Sequence, residues 1–450
     1  MKRFVFPLFL LLVIGCASVP KGDKGLLTYR DLRVETLSNG LTVIYIYNPV
    51  VPLVTIEIVS KCGAFVETPE FDGLAHLYEH MFFKGNELIP DQERYDEYIR
   101  ELGISYNGAT STEVVSYYFT LPTRNMEKGM ELMSYAIRTP LFDEKELERE
   151  RQVVLNEYDR DEADPVYCLM RKVENTLYWK YTSRKDVIGS RDVIATATRE
   201  KMLAIKNRFY VPNNCALVIA GDFDIREARM LARKYFGEKV WKRGDDPHSK
   251  GYPKHPPLTE TKEVYVPSSA PVAWVVIEWM GPSVGENNAE TYAADLLGEL
   301  TRLKTGRFYR NLVKSGVFMK CKLGYYTQRH TGEFTFWGMC DPAKLETAKE
   351  AVFGELKKMV EQDDYFSEED LILAKRSIEI DWIYSHEKPS MFAQEVDFWW
   401  AVCGLDYYAT YLDSIACVDV EDIKGVVAKY ILDAPCVIGV AGKLDEEENK

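Results

Sequence analysis

The chain has 450 residues and a formal net charge of −14 at neutral pH. Hydrophobic residues make up 46% of it and charged residues 28%, the balance of a globular protein with room for two or more domains. Because the excess of carboxylates repels a phosphate backbone, the composition excludes nucleic acid as a favoured partner and suits neutral or basic peptides.

The first residues have the pattern of a secretion signal. Two basic residues precede an apolar run, residues 4–14, that is too short for a permanent membrane-spanning helix. The ending Val-Ile-Gly-Cys16 resembles a bacterial lipobox, so we expect residues 1–15 to be removed and residues 16–27 to form a tether lipidated at Cys16. Ala17 resembles the default signal for the outer membrane, which predicts a lipid-anchored protein of the bacterial cell envelope on the periplasmic face of that membrane. The alternative is a cleaved signal with an incidental cysteine.

The motif His76-Leu-Tyr-Glu79-His80 carries the main chemical signal. It lies in a segment, residues 71–85, that we expect to be helical, with Asp72 as its N-cap and Gly85 at its end. The apolar residues recur at helical spacing and point away from the two histidines; they are Leu74, Leu77, Tyr78, Met81 and Phe82. A pair of core histidines or a solvated helix face is the alternative interpretation.

Two imidazoles one helical turn apart can both bind one Zn²⁺ ion. Glu79, about a third of a turn away, can instead reach a water on the metal, take its proton and pass it to a leaving amine. With the glutamate directly before the second histidine, this is the inverted zincin order.

Further elements follow along the chain, and each predicted range rests on β-branched or apolar patterning and on turn or cap residues. They are strands at 41–47 and 53–60, a helix at 92–102, strands at 105–112 and 114–121, and a helix at 144–159.

The last of these helices carries two candidate acids on one side, Glu150 and Glu157. A catalytic zinc site needs a third protein ligand, and a carboxylate from a facing helix is suitable. On spacing alone Glu157 could equally be a solvated helix residue.

The sequence repeats itself at an offset of 221 residues, since Ile194-Ala to Ala220-Gly221 matches Ile415-Ala to Ala441-Gly442. We therefore expect an α+β fold of two homologous halves, each a mixed roll with a largely antiparallel sheet packed by helices. The predicted N-terminal domain is 28–238, the linker 239–260 and the C-terminal domain 261–450. The second half lacks the metal motif, and His248 and His255 in the polar linker do not predict a second metal site.

Eight cysteines remain beyond Cys16, and none forms a Cys-x-x-Cys pair. Most are expected to be small buried side chains, and their pairing cannot be predicted from the sequence.

With these motifs in place, nearly the whole chain past the signal resembles the M16 zinc peptidases, the family of pitrilysin, insulinase and the mitochondrial processing peptidase. The matching segments are Leu37-Ser-Asn-Gly-Leu41, Gly63 with Glu67, Gly73 to Gly85, Asn107-Gly-Ala-Thr110, Val187-Ile-Gly189 and Tyr210-Val-Pro-Asn-Asn. The resemblance implies one Zn²⁺ per chain held by His76, His80 and Glu157. Glu79 and Glu150 would be catalytic, with Glu150 supporting the ligand set.

The resemblance also implies a clamshell that encloses an unfolded peptide. The peptide would add as a strand to an edge at Asn107, Ala109 and Thr110, so that backbone hydrogen bonds provide affinity. An ordinary edge strand is the alternative.

One departure concerns the second half. Family members carry an Arg four residues before a Gly and a Tyr three after it, whereas Gly316 is flanked by Leu312 and Met319. Arg310 and Tyr325 are near but out of register. Because some small bacterial members work as pairs, we expect a homodimer or heterodimer with a second chain of this family.

The sequence thus predicts a zinc-dependent endopeptidase that hydrolyses unfolded peptides and is the zinc-bearing subunit of a two-subunit enzyme. A non-catalytic clamshell lipoprotein for binding or assembly is the alternative. A peptidase whose substrates are presented by a membrane complex is a third possibility.

Overall fold

A computed structural model describes residues 27–29 and 32–443. The predicted signal and Cys16 lie outside the described residues. The described chain forms two sheets, one from each half of the sequence, and helices cover both.

The N-terminal half contains a seven-stranded sheet in the order β1-β2-β3-β7-β4-β6-β5, antiparallel except between β3 and β7. Its strands are β1 Leu27–Tyr29, β2 Leu32–Thr36, β3 Thr42–Tyr47, β4 Leu53–Ser60, β5 Ser105–Thr110, β6 Val115–Pro122 and β7 Cys215–Gly221. Its helices are α1 Leu74–Phe82, α2 Gln92–Leu102, α3 Met126–Arg138, α4 Glu144–Glu162, α5 Pro165–Leu177, α6 Arg191–Ala195, α7 Arg199–Phe209 and α8 Ile225–Phe236.

The C-terminal half contains a five-stranded sheet in the order β10-β11-β9-β12-β8, in which only β8 and β12 run parallel. Its strands are β8 Lys262–Pro267, β9 Ala273–Met280, β10 Lys320–Tyr326, β11 Glu333–Cys340 and β12 Val437–Gly442. Its helices are α9 Asn288–Arg302, α10 Arg307–Tyr309, α11 Leu345–Glu361, α12 Glu368–Ser385, α13 Pro389–Val402, α14 Leu405–Cys417 and α15 Val420–Val427.

The two sheets have the same topology. Read from β8, the second sheet follows the pairing of β3, β7, β4, β6 and β5 in the first, including the single parallel pair. The predicted α+β fold of two homologous halves is confirmed.

Local sequence accounts for several helix ends. Asp91 caps α2 by accepting a hydrogen bond from Arg94 N at 2.8 Å, and Gly103 ends that helix at φ 66°. Asp143 caps α4 by accepting from the backbone N–H groups of Lys145 and Glu146. These helices therefore begin where their caps predict.

The halves exchange one helix each. Helix α5 of the first half packs on β8, β9 and β12, where Leu169, Val173 and Leu177 join a core with Val276 and Val437. Helix α13 of the second half packs on β4 and β7. Each sheet therefore has one face covered by a helix from the other half.

The helix with the metal motif differs from its prediction. Helix α1 spans only Leu74–Phe82, and Gly73, not Asp72, is its N-cap, with φ 89° and no side-chain cap. Glu67 takes the capping role, since its carboxylate accepts from Gly73 N at 2.8 Å and Ala75 N at 2.6 Å. A residue outside the predicted segment, Glu67, therefore fixes the start of α1. At the other end, α1 stops at Phe82, three residues before the predicted end at Gly85.

Residues between α8 and β8 form neither helix nor strand, yet they are fixed to the first half. Asn39 Nδ2 donates to Phe236 O and Trp241 O, and Trp241 is buried.

Nowhere in residues 27–29 and 32–443 is there a helix with the length and apolar character needed to cross a membrane. The eight cysteines from Cys62 onward are unpaired; four are buried and Cys417 is exposed.

Candidate metal centre

Helices α1 and α4 pack together and bring three donor side chains to one point. His76 and His80 from α1 and Glu157 from α4 each offer a ligand atom, and these atoms lie within 4.8 Å of one another. Glu157 Oε2 is 3.8 Å from His76 Nε2 and 3.6 Å from His80 Nε2. Donors that share a tetrahedral zinc ion at about 2.0–2.1 Å are about 3.3 Å apart, so this set fits the ion with a small adjustment.

The two imidazoles have different protonation preferences. Burial and the neighbouring His80 lower the pKa of His76 to about 4, so its ring is neutral and has a free lone pair at physiological pH. For His80, burial alone would lower the pKa, but a hydrogen bond with Glu150 and the charge of Glu157 raise it above the ordinary value. The donor set thus combines one imidazole that is neutral by burial with one that is oriented by a carboxylate.

Glu150 and Lys84 form a support behind His80. His80 Nδ1 lies 3.1 Å from Glu150 Oε2, and Lys84 Nζ lies 2.7 Å from Glu150 Oε1. Burial alone would raise the pKa of Glu150, but the bonds from His80 and Lys84 hold it below the usual value. A donor bond from Nδ1 leaves Nε2 as the metal-binding atom. Lys84 was not predicted as part of the site; it lies four residues after His80 and two residues beyond the end of α1.

Glu79 lies beside the cluster and is held by the neighbouring strand. Thr110 Oγ1 donates to Glu79 Oε2 at 2.6 Å. Burial raises the pKa of Glu79, and the Thr110 bond offsets part of this effect. A β-carbon added at Gly108 would come within 2.8 Å of Glu79 Cγ, so glycine permits this close approach of β5 to α1. The matching segment Asn107-Gly-Ala-Thr110 contains both contacts, but their roles toward Glu79 were not predicted.

The predicted peptide-binding strand lies at a sheet edge. Among the described strands, β5 pairs only with β6, and Asn107 and Ala109 are exposed on it. Next to it, a cleft of about 360 Å³ lined by Phe83, Lys84 and Tyr106 opens beside Glu79 and His80. An extended peptide on this edge would therefore pass Glu79.

The second half does not supply an Arg-Tyr pair of the usual kind. Leu312 is fully buried, whereas Met319 is 55% exposed. Arg310 is exposed on the surface, and the Tyr325 hydroxyl donates to Pro282 O at 2.7 Å.

The histidines of the linker take structural roles. His248 Nε2 lies 3.0 Å from Lys61 O and 2.9 Å from Asn214 Oδ1, and His255 Nε2 accepts from Lys180 N. Within residues 32–443, the cluster of His76, His80 and Glu157 is the one group of three or more potential metal donors.

Two protein-family models match the chain. Residues 42–191 match the model of insulinase, peptidase family M16, and residues 196–378 match that of the peptidase M16 inactive domain.

Curated relatives and solved structures agree. An uncharacterized zinc protease from Rickettsia felis is 24% identical over 378 residues, covering 83% of this chain and 88% of the relative. Human insulin-degrading enzyme is 26% identical over 234 residues, covering 50% of this chain but 23% of that enzyme. The crystal structure of a protease from Helicobacter pylori aligns with TM-score 0.81 at 22% identity, covering 91% of this chain and 99% of that one.

The fold and the donor set define a metallopeptidase-like protein with a two-half architecture. The chain belongs to peptidase family M16, the insulinase family.

Proposed function

We propose that this chain is a zinc-dependent endopeptidase that cleaves unfolded peptides. The observation that carries the proposal is the convergence of His76, His80 and Glu157 within 4.8 Å, with Glu79 held beside them by Thr110. His76, His80 and Glu157 would hold one Zn²⁺. When bound, zinc would polarise the scissile carbonyl and acidify water.

The chain's own residues perform the remaining steps. The free edge of β5 at Asn107 and Ala109 hydrogen-bonds the peptide backbone and positions the scissile bond. Glu79 accepts a proton from the attacking water and delivers it to the leaving amine, a role that its raised pKa suits. Thr110 keeps the Glu79 carboxylate pointed at the site, and Glu150 with Lys84 keeps His80 in its ligand orientation.

The test is cleavage of a mixed pool of unfolded peptides by the purified, zinc-loaded chain. Glu79→Gln should reduce turnover by at least about a hundredfold, because proton transfer is lost while zinc stays bound. Glu144→Gln, an exposed acid at the start of α4, is the matched control and should leave turnover unchanged. Loss of zinc in Glu79→Gln would make Glu79 a ligand and contradict its assigned role.

We also propose that the active enzyme contains a second chain of this fold. One observation supports this: Leu312 and Met319 stand where the family carries Arg and Tyr. A second chain would close the site over β5 and supply the groups that polarise the substrate carbonyl.

The partner proposal has its own measurement. A second chain with the Arg-Tyr pair and without the zinc motif should raise the peptidase rate on mixing, and the two should elute together in gel filtration. Full peptidase activity of this chain alone, unchanged by any such partner, would exclude the two-subunit arrangement.

For the cell envelope, we propose lipid attachment at Cys16 and residence on the periplasmic face of the outer membrane. The signal-like residues 1–15 and Ala17 support this proposal. Labelled palmitate should be incorporated into the expressed full chain and not into Cys16→Ser, and the labelled protein should fractionate with the outer membrane. Incorporation that survives Cys16→Ser would place the lipid elsewhere.

A non-catalytic binding or assembly lipoprotein is the second candidate, favoured by the replaced Arg-Tyr pair. It predicts that the chain, alone or paired, binds unfolded peptides with the same affinity in wild type and Glu79→Gln and cleaves in neither. Turnover that depends on Glu79 would eliminate it.

A further inference from the structure

A second cavity lies where three parts of the chain meet, apart from the metal cluster. It has a volume of about 470 Å³, within the range of small-molecule sites. Most of its wall comes from the residues after β4, from the segment between α8 and β8, and from the loop between β10 and β11. Glu113, Asn213, Asn214 and Ala401 complete the lining. We call it the junction pocket and define it by Lys61, Phe65, Tyr252, Arg329 and His330.

Lys61 brings an unbalanced cation into this pocket. Its side chain is partly buried, with Nζ 4.5 Å from the centre of the Trp400 ring. Throughout residues 32–443 no carboxylate lies within 4.0 Å of Nζ. Burial and the nearby Arg329 lower the pKa of Lys61 to about 8. The charge of Asp246 opposes this shift only in part. A cation kept from water with no carboxylate in contact raises the free energy of the folded chain, and a bound anion would relieve this.

Arg329 adds a second cation and Arg243 a third, and the buried acid Glu113 accepts hydrogen bonds from two backbone donors. Glu113 accepts from Arg329 N at 2.7 Å and from His330 N at 2.8 Å. The Arg329 guanidinium makes no ion pair with any described residue. Asp246 also lines the pocket and accepts from His248 N at 2.9 Å. Three cations, Lys61, Arg243 and Arg329, stand against two wall carboxylates, Glu113 and Asp246. This leaves a formal excess of one positive charge, which suits a monoanion.

The remaining wall is apolar and aromatic. Phe65 stacks on His330 with ring centroids 4.3 Å apart and meets Tyr252 edge-on at 4.9 Å. Val66 and Ala401 complete this side. The pocket therefore pairs a positive end with an apolar surface, the complement of a carboxylate attached to one hydrophobic group.

We propose that the junction pocket binds the carboxylate of such a molecule, with Lys61 and Arg329 holding the anion and Phe65 and Tyr252 contacting its apolar group. The carboxylate can belong to a free organic acid or to the C-terminal residue of a peptide. Because the pocket is lined by residues of both halves and of the linker, it exists only in the folded chain, so occupancy should also raise the melting temperature.

The test is calorimetric titration of the purified chain with N-acetyl-L-phenylalanine, with the corresponding primary amide as the matched neutral ligand. The acid should bind at least about tenfold more tightly than the amide, because charge-assisted hydrogen bonds are lost in the amide. Lys61→Met and, separately, Arg329→Gln should each weaken binding of the acid by a similar factor. Lys242→Met, an exposed lysine outside the pocket, is the control and should not.

The two sources of carboxylate are distinguished by acetyl-Ala-Ala-Phe with a free C-terminus. Binding of this peptide as tight as that of the single residue assigns a peptide C-terminus, and binding of the single residue alone assigns a free acid. Equal binding of acid and amide, no binding of either acid, or unchanged binding in both folded variants would overturn the proposal. Because binding and not turnover is measured, failure here leaves the proposed peptidase function standing.

Discussion

The two histidines of the cluster are supported differently. His80 is oriented through Glu150, which is itself held by Lys84, whereas His76 Nδ1 is buried without a hydrogen-bond partner among the described residues. Burial, together with the neighbouring His80, lowers the pKa of His76 and keeps its ring neutral. The sequence predicted the two histidines because their spacing is local to one helix, whereas Glu157, on another helix, followed from the family resemblance. It could not show Lys84 as a support, because the link to His80 runs through Glu150 of that other helix.

Removing this support should weaken zinc binding without removing a ligand. Glu150→Gln is expected to lower zinc affinity by roughly 10–100-fold, the usual cost of losing a hydrogen-bond partner of a ligand. Lys84→Met should lower it less, since the Glu150–His80 contact survives. Competition with a chelating dye measures both affinities.

Lys128→Met, an exposed lysine on α3, serves as the control and should bind zinc as the wild type does. If Glu150→Gln bound zinc with unchanged affinity, the proposed support of His80 would be wrong.

Among the elements, those with complete local signals were predicted best. Helix α2 begins after Asp91 and ends before Gly103, as the cap residues indicate, and the predicted start of α4 at Glu144 is also confirmed. Helix α1 was predicted too long, because its start is set by Glu67 and by backbone packing of Gly73 against Gly189, which are far apart in the sequence. Local patterning predicts an element where its own residues end it, and not where tertiary contacts do.

The contact between Gly73 and Gly189 gives a test at this scale. Gly189 has φ 70°, and a β-carbon there would lie 2.2 Å from Gly73 N, a backbone atom that cannot move without shifting α1. Gly189→Ala should therefore lower the free energy of unfolding by roughly 3 kcal/mol or more and reduce zinc content. Urea denaturation and metal analysis measure the two effects.

Gly251→Ala isolates the steric part of this effect. Gly251 has a similar φ of 61°, but a β-carbon there meets nothing within 4 Å. Gly251→Ala should therefore lower the free energy of unfolding by about 1–2 kcal/mol, from backbone strain alone, and leave the zinc content unchanged. Equal losses in the two variants would mean that the Gly73 contact does not position α1.

At the scale of the whole molecule, the repeat predicted two similar halves, and the matching sheet topologies confirm them. The exchange of α5 and α13 was not predicted. Helix α13 carries apolar residues such as Val396 and Val402, which lie in a core built from residues of both halves. An apolar helix face shows that something covers it and does not show which sheet does.

The exchange also places two acids against each other. Glu57 on β4 and Asp397 on α13 are buried side by side. Burial, together with the adjacent Asp397, raises the pKa of Glu57 well above its usual value, and burial raises that of Asp397 to about 7. The folded state thus binds more protons than the unfolded state, so this pair favours folding below about pH 4 and the benefit is lost as the pH rises toward 7.

Replacing the pair should remove this dependence. The double variant Glu57→Gln, Asp397→Asn is expected to be more stable than the wild type at pH 8, by roughly 1–3 kcal/mol, and to lose the advantage at pH 5. Urea unfolding at the two pH values measures it. Glu35→Gln is a contrasting control: the pKa of Glu35 is lowered, because bonds from Arg229 and Tyr45 outweigh its burial, so this variant should be less stable at pH 8. A stability difference between wild type and double variant that is the same at both pH values would refute the titration.

The exchanged helices also make each half of the chain depend structurally on the other. The second copy has no zinc motif, and its matched family model is described as an inactive domain. Nevertheless α13 of the second copy packs on the sheet of the first, and α5 of the first copy packs on the sheet of the second. Point mutations can therefore remove the metal ligands from one half without disturbing the other. Deleting a whole half would instead remove a helix that packs on the sheet of the remaining half. The half without the zinc motif therefore supplies part of the interior of the half that carries it.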